Sequence, residues 1–148
     1  MKTIRSLLLQ AVSVLLLTGT LGLGLVSSVQ AQEECSVATL QGDYLLTGRA
    51  DAPNASHEDP TYPRVFVGVH TFDGAGNMSG FNTQSQGGVI RQRVPVEATY
   101  TLDADCTGTI TIPAANAEWE IVVTRDGREG EYIRVDQGHI ARRSIRKQ

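Results

Sequence analysis

The sequence predicts an all-β protein: a single antiparallel eight-stranded barrel of meander order, preceded by an N-terminal signal helix. Apolar residues alternate with period two through nearly every segment after residue 31, as they do in half-buried strands. Clusters rich in Gly, Asp and Asn separate these segments, as hairpin turns require. After residue 31, no window of about ten residues keeps the three-and-four spacing of an amphipathic helix.

The first 31 residues have the pattern of a secretion signal. Lys2 and Arg5 precede an apolar run, and the run is followed by Val29-Gln30-Ala31, whose compact residues suit signal peptidase. We therefore expect residues 1–31 to be a signal peptide and residues 32–148 to be a secreted or periplasmic barrel domain. The alternative is an uncleaved anchor, because the run approaches the roughly 20 apolar residues that span a bilayer. No later segment could span one, so we expect no membrane contact after cleavage.

The strands can be placed in order from the alternation. In the first strand Leu40, Tyr44 and Leu46 share one face. In the second strand both faces carry apolar residues, which predicts a strand covered on both sides, as in a closed or layered sheet. The predicted strands lie near residues 38–49, 64–72, 77–86, 89–102, 107–112, 117–124, 130–136 and 139–146.

Turns and one long loop separate these strands. Asp73 to Asn77, Asp103 to Gly108 and Asp126-Gly127 are typical of hairpin turns, and Asp51 to Pro63 is predicted to be a long loop. Eight strands can close around side chains or one small ligand, and closure removes exposed edges. A β-sandwich is the alternative fold, but Trp119 follows the second cysteine, which breaks the immunoglobulin-type order.

Cys35 and Cys106 are the only cysteines, and both lie in the exported part. An oxidising compartment favours one disulfide between them over metal binding or nucleophilic use. In the chain-entropy model a loop of about 70 residues gives roughly 4 kcal/mol of stability.

The net charge argues against nucleic acid as a partner. The whole chain has 13 Lys and Arg against 16 Asp and Glu, and the signal takes two of the basic residues with it. Basic residues do cluster at the C-terminus, at Arg142, Arg143, Arg146 and Lys147. We interpret them as a basic last strand or a solvated end, with contact to an anionic surface as the alternative.

Three blocks of the sequence point to a family: CSVATLQGDY at residues 35–44, VGVHTFDGAGN at 67–77 and TYTLDADCTG at 99–108. In order and spacing they are similar to a group of small secreted bacterial proteins of unassigned function. That group resembles the allene oxide cyclase or dirigent type of barrel, within the broader calycin-like shape. The resemblance implies a secreted barrel. Cyclases of this type bind an oxidised fatty-acid derivative in the lumen, but no matching catalytic motif occurs here, so the implication is architectural.

Five polar or aromatic residues are the candidate ligand site. The third predicted strand is polar on both faces, and one face is predicted to line a cavity otherwise walled by aliphatic residues. The candidates are Tyr44, His70, Asn82, Gln84 and Tyr100. The alternatives are a structural histidine with satisfied hydrogen bonds, an exposed third strand and a tyrosine that packs in the core. Trp119 is likewise predicted to be a core residue.

No catalytic residue, metal site or cofactor is predicted. The chain after residue 31 has no phosphate-binding loop, nucleophile elbow or paired zinc-ligand motif. His57-Glu58-Asp59 is typical of a solvated loop, and Asp73 to Asn77 lacks the pattern of a calcium loop. Glu97 has no identified acid or base partner.

The expected function is therefore non-enzymatic binding of a small, partly apolar ligand or of another envelope component. The alternatives are an allene-oxide-cyclase-like isomerase and a structural surface protein with a filled barrel. The interior volume discriminates between them, because binding and catalysis need a lumen with convergent polar groups. The sequence makes no prediction of oligomeric state.

Overall fold

The structure is a computed structural model, which describes residues 34–51 and 63–148. These residues form a closed antiparallel barrel in which the strands follow one another in chain order and the last pairs with the first. The predicted eight-stranded meander is thereby confirmed. The strands are β1 (Gln41–Asp51), β2 (Arg64–Asp73), β3 (Asn77–Gln86), β4 (Val89–Tyr100), β5 (Thr107–Ile112), β6 (Ala117–Val123), β7 (Glu129–Arg134) and β8 (Ile140–Lys147).

Two short 3₁₀ turns, at Val37–Thr39 and Pro113–Ala115, complete the described structure. None of the described helical segments is long and apolar enough to cross a membrane. The signal segment, its predicted cleavage point and residues 52–62 of the long loop lie outside the described residues.

The barrel is a single layer, so buried and exposed residues alternate along most strands, whereas residues 89–93 of β4 are exposed on both faces. On β2 the side chains of Phe66, His70 and Phe72 are buried, whereas Val65 and Val67 are 50% and 49% exposed. The prediction that both faces of this strand are covered is therefore wrong, because nothing in the described part of the chain packs over the outer face. The apolar residues there do not mark a second layer.

One end of the barrel is closed by the chain that precedes β1, and we call it the closed end. The Tyr100 hydroxyl donates to the carbonyls of Val37 and Leu40, at 2.8 and 3.0 Å. The Tyr44 hydroxyl donates to the Gly127 carbonyl of the β6–β7 turn at 2.6 Å. The rings of Tyr44 and Tyr100 both pack edge-on against Phe72, with centroids 5.2 and 5.1 Å away. The 3₁₀ turn and the β6–β7 turn are thus fastened to the core.

The predicted disulfide is confirmed and lies at the same end. Cys35 and Cys106 are bonded across 71 residues, with their Cα atoms 5.0 Å apart. The Cys35 amide also donates to the Ala104 carbonyl at 3.2 Å. The segment before β1 is therefore held to the β4–β5 turn.

Candidate functional site

The opposite end of the barrel has arginines on its inner face, and we call it the basic end. Arg64 begins β2, Arg134 ends β7, and Arg143 lies in β8. Strand alternation places Arg143 on the same face as Ala141 and Ile145, which are 9% and 2% exposed. Arg143 itself is only 7% exposed, which is rare for an arginine.

The Arg143 guanidinium is surrounded by aromatic rings. Its central carbon lies 4.4 Å from the ring centroid of Trp119, 4.7 Å from Phe66 and 5.9 Å from Tyr132. Gly48 on the neighbouring strand makes this packing possible, because a Cβ atom there would lie 2.7 Å from the Arg143 Cγ. Cation–π contacts stabilise the cation, but they do not provide an oxygen acceptor for the N–H groups, which donate in the plane of the guanidinium.

Four buried nitrogen donors have no hydrogen-bond acceptor among the described residues. They are Nε and Nη1 of Arg143, Nε of Arg64 and Nε1 of Trp119. These four are the complete set of unsatisfied buried side-chain polar atoms in residues 34–51 and 63–148. All four donate, and three of them belong to positively charged groups, so the missing partner is an acceptor.

The charge around these donors is positive. Burial lowers the pKa of Arg64, and so do the like charges of Arg91, Arg134 and Arg143. Asp136 is the carboxylate that balances part of this charge, since it accepts two bonds from Arg134 Nε at 2.9 and 2.7 Å. The Arg134 guanidinium in turn lowers the pKa of Asp136 to about 2. Of these four arginines, Arg134 is the one that Asp136 pairs with.

A small cavity opens beside Arg64 and Arg134, while Arg143 lies outside its wall, at the next inward-facing position after Ala141 on β8. Its volume is about 180 Å³, which is below the roughly 300–1,000 Å³ of sites for drug-sized ligands. Its wall combines small apolar residues with charged ones: Ala50, Asp51, Arg64, Arg134, Gly138, His139, Ile140 and Ala141. The cavity suits a compact, partly apolar molecule.

His70 forms the floor between the two ends. Its Nε2 lies 3.0 Å from the Asn82 Oδ1, and its Nδ1 lies 3.3 Å from the Tyr132 hydroxyl. Because Oδ1 accepts only, the neutral ring donates from Nε2 and accepts the tyrosine hydroxyl at Nδ1. Burial, reinforced by the Arg143 charge, lowers the pKa of His70 to about 4, against a smaller opposing effect of Asn82. The imidazole is therefore neutral and fully bonded.

The five sequence-predicted site residues fall into two groups. His70 and Asn82 are hydrogen-bonded to each other, and Gln84 pairs with Phe66 on the inner face of β3 near the basic end. Tyr44 and Tyr100 are committed to backbone carbonyls at the closed end. Their contacts are those of core residues that anchor turns, while a role in ligand binding for any of the five stays a prediction.

Two other candidates from the sequence are Glu97 and the segment His57-Glu58-Asp59. Glu97 is exposed on the outer face of β4. His57-Glu58-Asp59 lies outside the described residues. Within the described ranges, no group of three or more His, Cys, Asp and Glu is arranged to hold a metal ion.

Sequence reasoning missed the arginines. The pattern Ala141-Arg142-Arg143-Ser144-Ile145 contains the signal, because Arg143 has the same parity as the two apolar residues and Arg142 does not. Counting the four C-terminal basic residues as one cluster hid this difference. Only Arg143 of that cluster is buried.

No protein-family model matches the chain, and no curated protein matches it. Among solved structures, a redesigned β-barrel is similar, with 13% identity and a TM-score of 0.47, covering 76% of this chain and 94% of that one.

Proposed function

We propose that this protein is an exported barrel that binds a small, partly apolar ligand at its basic end and does not transform it. The observation that carries the proposal is the set of four buried N–H donors without an acceptor. A buried donor left unsatisfied costs about 1–3 kcal/mol, and more if it is charged. Unsatisfied buried groups in folded proteins often have a functional explanation, so their concentration at one end supports binding there.

The filled middle of the barrel confines the ligand to that end. His70, Tyr132 and Trp119 are at most 2% exposed, and the Trp119 and Tyr132 rings pack edge-on at 5.3 Å. This packing also favours the second candidate function, a structural surface protein with a filled barrel. The two functions differ at the basic end, because a purely structural barrel has no use for uncompensated buried arginines.

The proposal also includes the location of the protein and the kind of barrel to which it belongs. A disulfide across 71 residues persists in oxidising compartments, which supports a secreted or periplasmic location. The barrel is also the architecture that a calycin-like relative of the allene oxide cyclase type would have. Cyclase activity gains no support from His70, because both ring nitrogens are already engaged by Asn82 and Tyr132.

The test compares three probes of similar shape and different charge: benzoate, benzyl alcohol and benzylamine. We expect at least one of them to bind saturably to the exported protein, measured by ligand-observed NMR and by a rise in melting temperature. Native mass spectrometry of the same sample reads the N-terminus, which we expect at Gln32, and any retained small molecule.

A pair of alanine variants locates the binding. A141L fills part of the cavity wall and should abolish the effect, whereas A115L places the same side chain on an exposed position of the Pro113–Ala115 turn and should leave it intact. Absence of binding by all three probes, together with a uniformly unliganded native mass spectrum, would establish the structural function instead.

A further inference from the structure

We infer that the ligand of the basic end is a compact monocarboxylate with a short apolar body. This inference rests on the proposed function and adds the chemical class of the ligand. It is argued from charge, from the kind of hydrogen-bonding atom that is missing, and from the size of the cavity.

Charge selects an anion. Arg91, Arg134 and Arg143 each act electrostatically on Arg64, and Asp136 accepts the hydrogen bonds of Arg134. The acidic residue in the cavity wall, Asp51, pairs with Arg49 at 2.8 Å. The neutral His70 adds no positive charge. In a site of low polarity, like charges of this number favour an anionic guest strongly.

The missing partner accepts charge-assisted hydrogen bonds, as a carboxylate does. Arg143 lacks partners at Nε and at Nη1, and because these two nitrogens belong to different edges of the guanidinium, each is left for a separate acceptor oxygen. Arg64 lacks a partner at Nε, and its central carbon lies over the same Phe66 ring, at 5.8 Å, as that of Arg143, at 4.7 Å. The two guanidinium groups, which come from two different strands, therefore both contact the Phe66 ring.

The cavity wall selects a short apolar body. Ala50, Ile140 and Ala141 line one side of a volume of about 180 Å³. An inorganic phosphate would leave these residues without a contact and would demand more donors than the site presents. A long-chain fatty acid would exceed the volume. A planar acid of the size of benzoate matches both the charged side of the wall, at Arg64 and Arg134, and the apolar side.

The experiment measures dissociation constants by titration calorimetry for benzoate, acetate, inorganic phosphate and benzyl alcohol, the last being the neutral analogue of benzoate. We expect benzoate to bind at least about 10-fold more tightly than each of the other three, the size of effect given by one charge-assisted hydrogen bond or one buried ring. Tighter binding of phosphate than of benzoate overturns the inference.

Matched variants assign the binding to the inner arginines. R143M should weaken benzoate at least about 10-fold, whereas R142M, the neighbouring residue on the outer face, should change it less than about 2-fold. R64M repeats the test from another strand and is independent of whether R143M folds. Equal effects of R142M and R143M, or no effect of R64M and R143M together, overturn the inference.

Two results separate this inference from the function on which it rests. If benzyl alcohol or benzylamine binds and benzoate does not, the barrel is a ligand-binding protein and its ligand is not a carboxylate. Glu58 and Asp59 of the β1–β2 connection are the chain's own competing carboxylates. An E58Q/D59N variant should bind benzoate as the unaltered protein does. A gain of more than about 10-fold would assign the arginines to those residues and overturn the inference.

Discussion

His70 makes the stability of the barrel depend on pH. Its native pKa is about 4, below the ordinary 6.5, because burial and Arg143 disfavour the cation. As the pH falls through 6.5, His70 binds a proton in the unfolded chain but stays neutral in the native protein. Acidification therefore favours unfolding. We expect the free energy of unfolding to fall by about 3 kcal/mol from pH 7 to pH 4, measured by urea unfolding at intervals across that window.

The control is H70Q, which has no titrating group and should lose most of this dependence. The aspartates with lowered pKa values, among them Asp73 and Asp136, lose their contribution as the pH falls below their ordinary 3.8. Their window therefore lies below that of the histidine. A loss between pH 7 and pH 4 as steep in H70Q as in the unaltered protein would show that the imidazole is not responsible.

Period-two alternation was sufficient to predict the strands, and the deviations have local causes. The first strand begins at Gln41 instead of residue 38, because Ser36 and Thr39 hydrogen-bond each other's backbone and form a 3₁₀ turn. The seventh strand ends at Arg134 instead of residue 136, where Asp136 turns back to bind the Arg134 guanidinium. In both places a polar side chain competes with the ladder for backbone or neighbouring groups.

The site could not be predicted in the same way. Alternation decides which side of a sheet a residue faces, but it does not decide which strands meet across a barrel, which depends on strand tilt and stagger. Arg64 and Arg143 are far apart in sequence, yet the guanidinium groups of both contact the Phe66 ring. The proximity of His70 and Asn82 could be predicted from the sequence, because they lie on adjacent strands, and the two side chains do form a hydrogen bond.

The β6–β7 turn depends on a glycine at its tip. Gly127 has φ +64°, its carbonyl accepts the Tyr44 hydroxyl, and a Cβ atom would lie 2.1 Å from the Thr39 carbonyl oxygen. Gly138 in the β7–β8 turn has φ +80° but nothing within 4 Å of such an atom. We expect G138A to cost about 1 kcal/mol for its backbone conformation alone and G127A at least about 2 kcal/mol more, measured by urea unfolding.

The comparison of these two variants separates the cost of the clash with the Thr39 carbonyl from the cost of the left-handed backbone conformation. Both replace a glycine of positive φ in a turn, so the left-handed penalty is common to them. Equal losses of stability would mean that Thr39 moves aside at no cost and that the 3₁₀ turn is not packed tightly against the β6–β7 turn.

In the proposed function the two ends of the barrel have different roles, one in stability and one in binding. At the closed end the tyrosine hydroxyls donate to backbone carbonyls, the aromatic rings pack edge-on and the two cysteines are bonded to each other. At the basic end four buried donors are left without acceptors in the described chain. Since functional sites often concentrate such local destabilisation, we propose that the stability of the closed end offsets the cost of leaving these donors unsatisfied in the absence of a ligand.

Removing the disulfide tests this division directly. The bond closes a loop across 71 residues, for which the chain-entropy model gives about 4 kcal/mol. We expect C35A/C106A to lose about that amount in urea unfolding, while its dissociation constant for benzoate, measured where the variant is fully folded, changes less than about 2-fold. R143M should show the reverse, with weakened binding and a smaller change in stability, because it removes unsatisfied buried donors. A large loss of benzoate affinity in C35A/C106A would mean that the closed end also positions the arginines, and the two ends would then act as one unit.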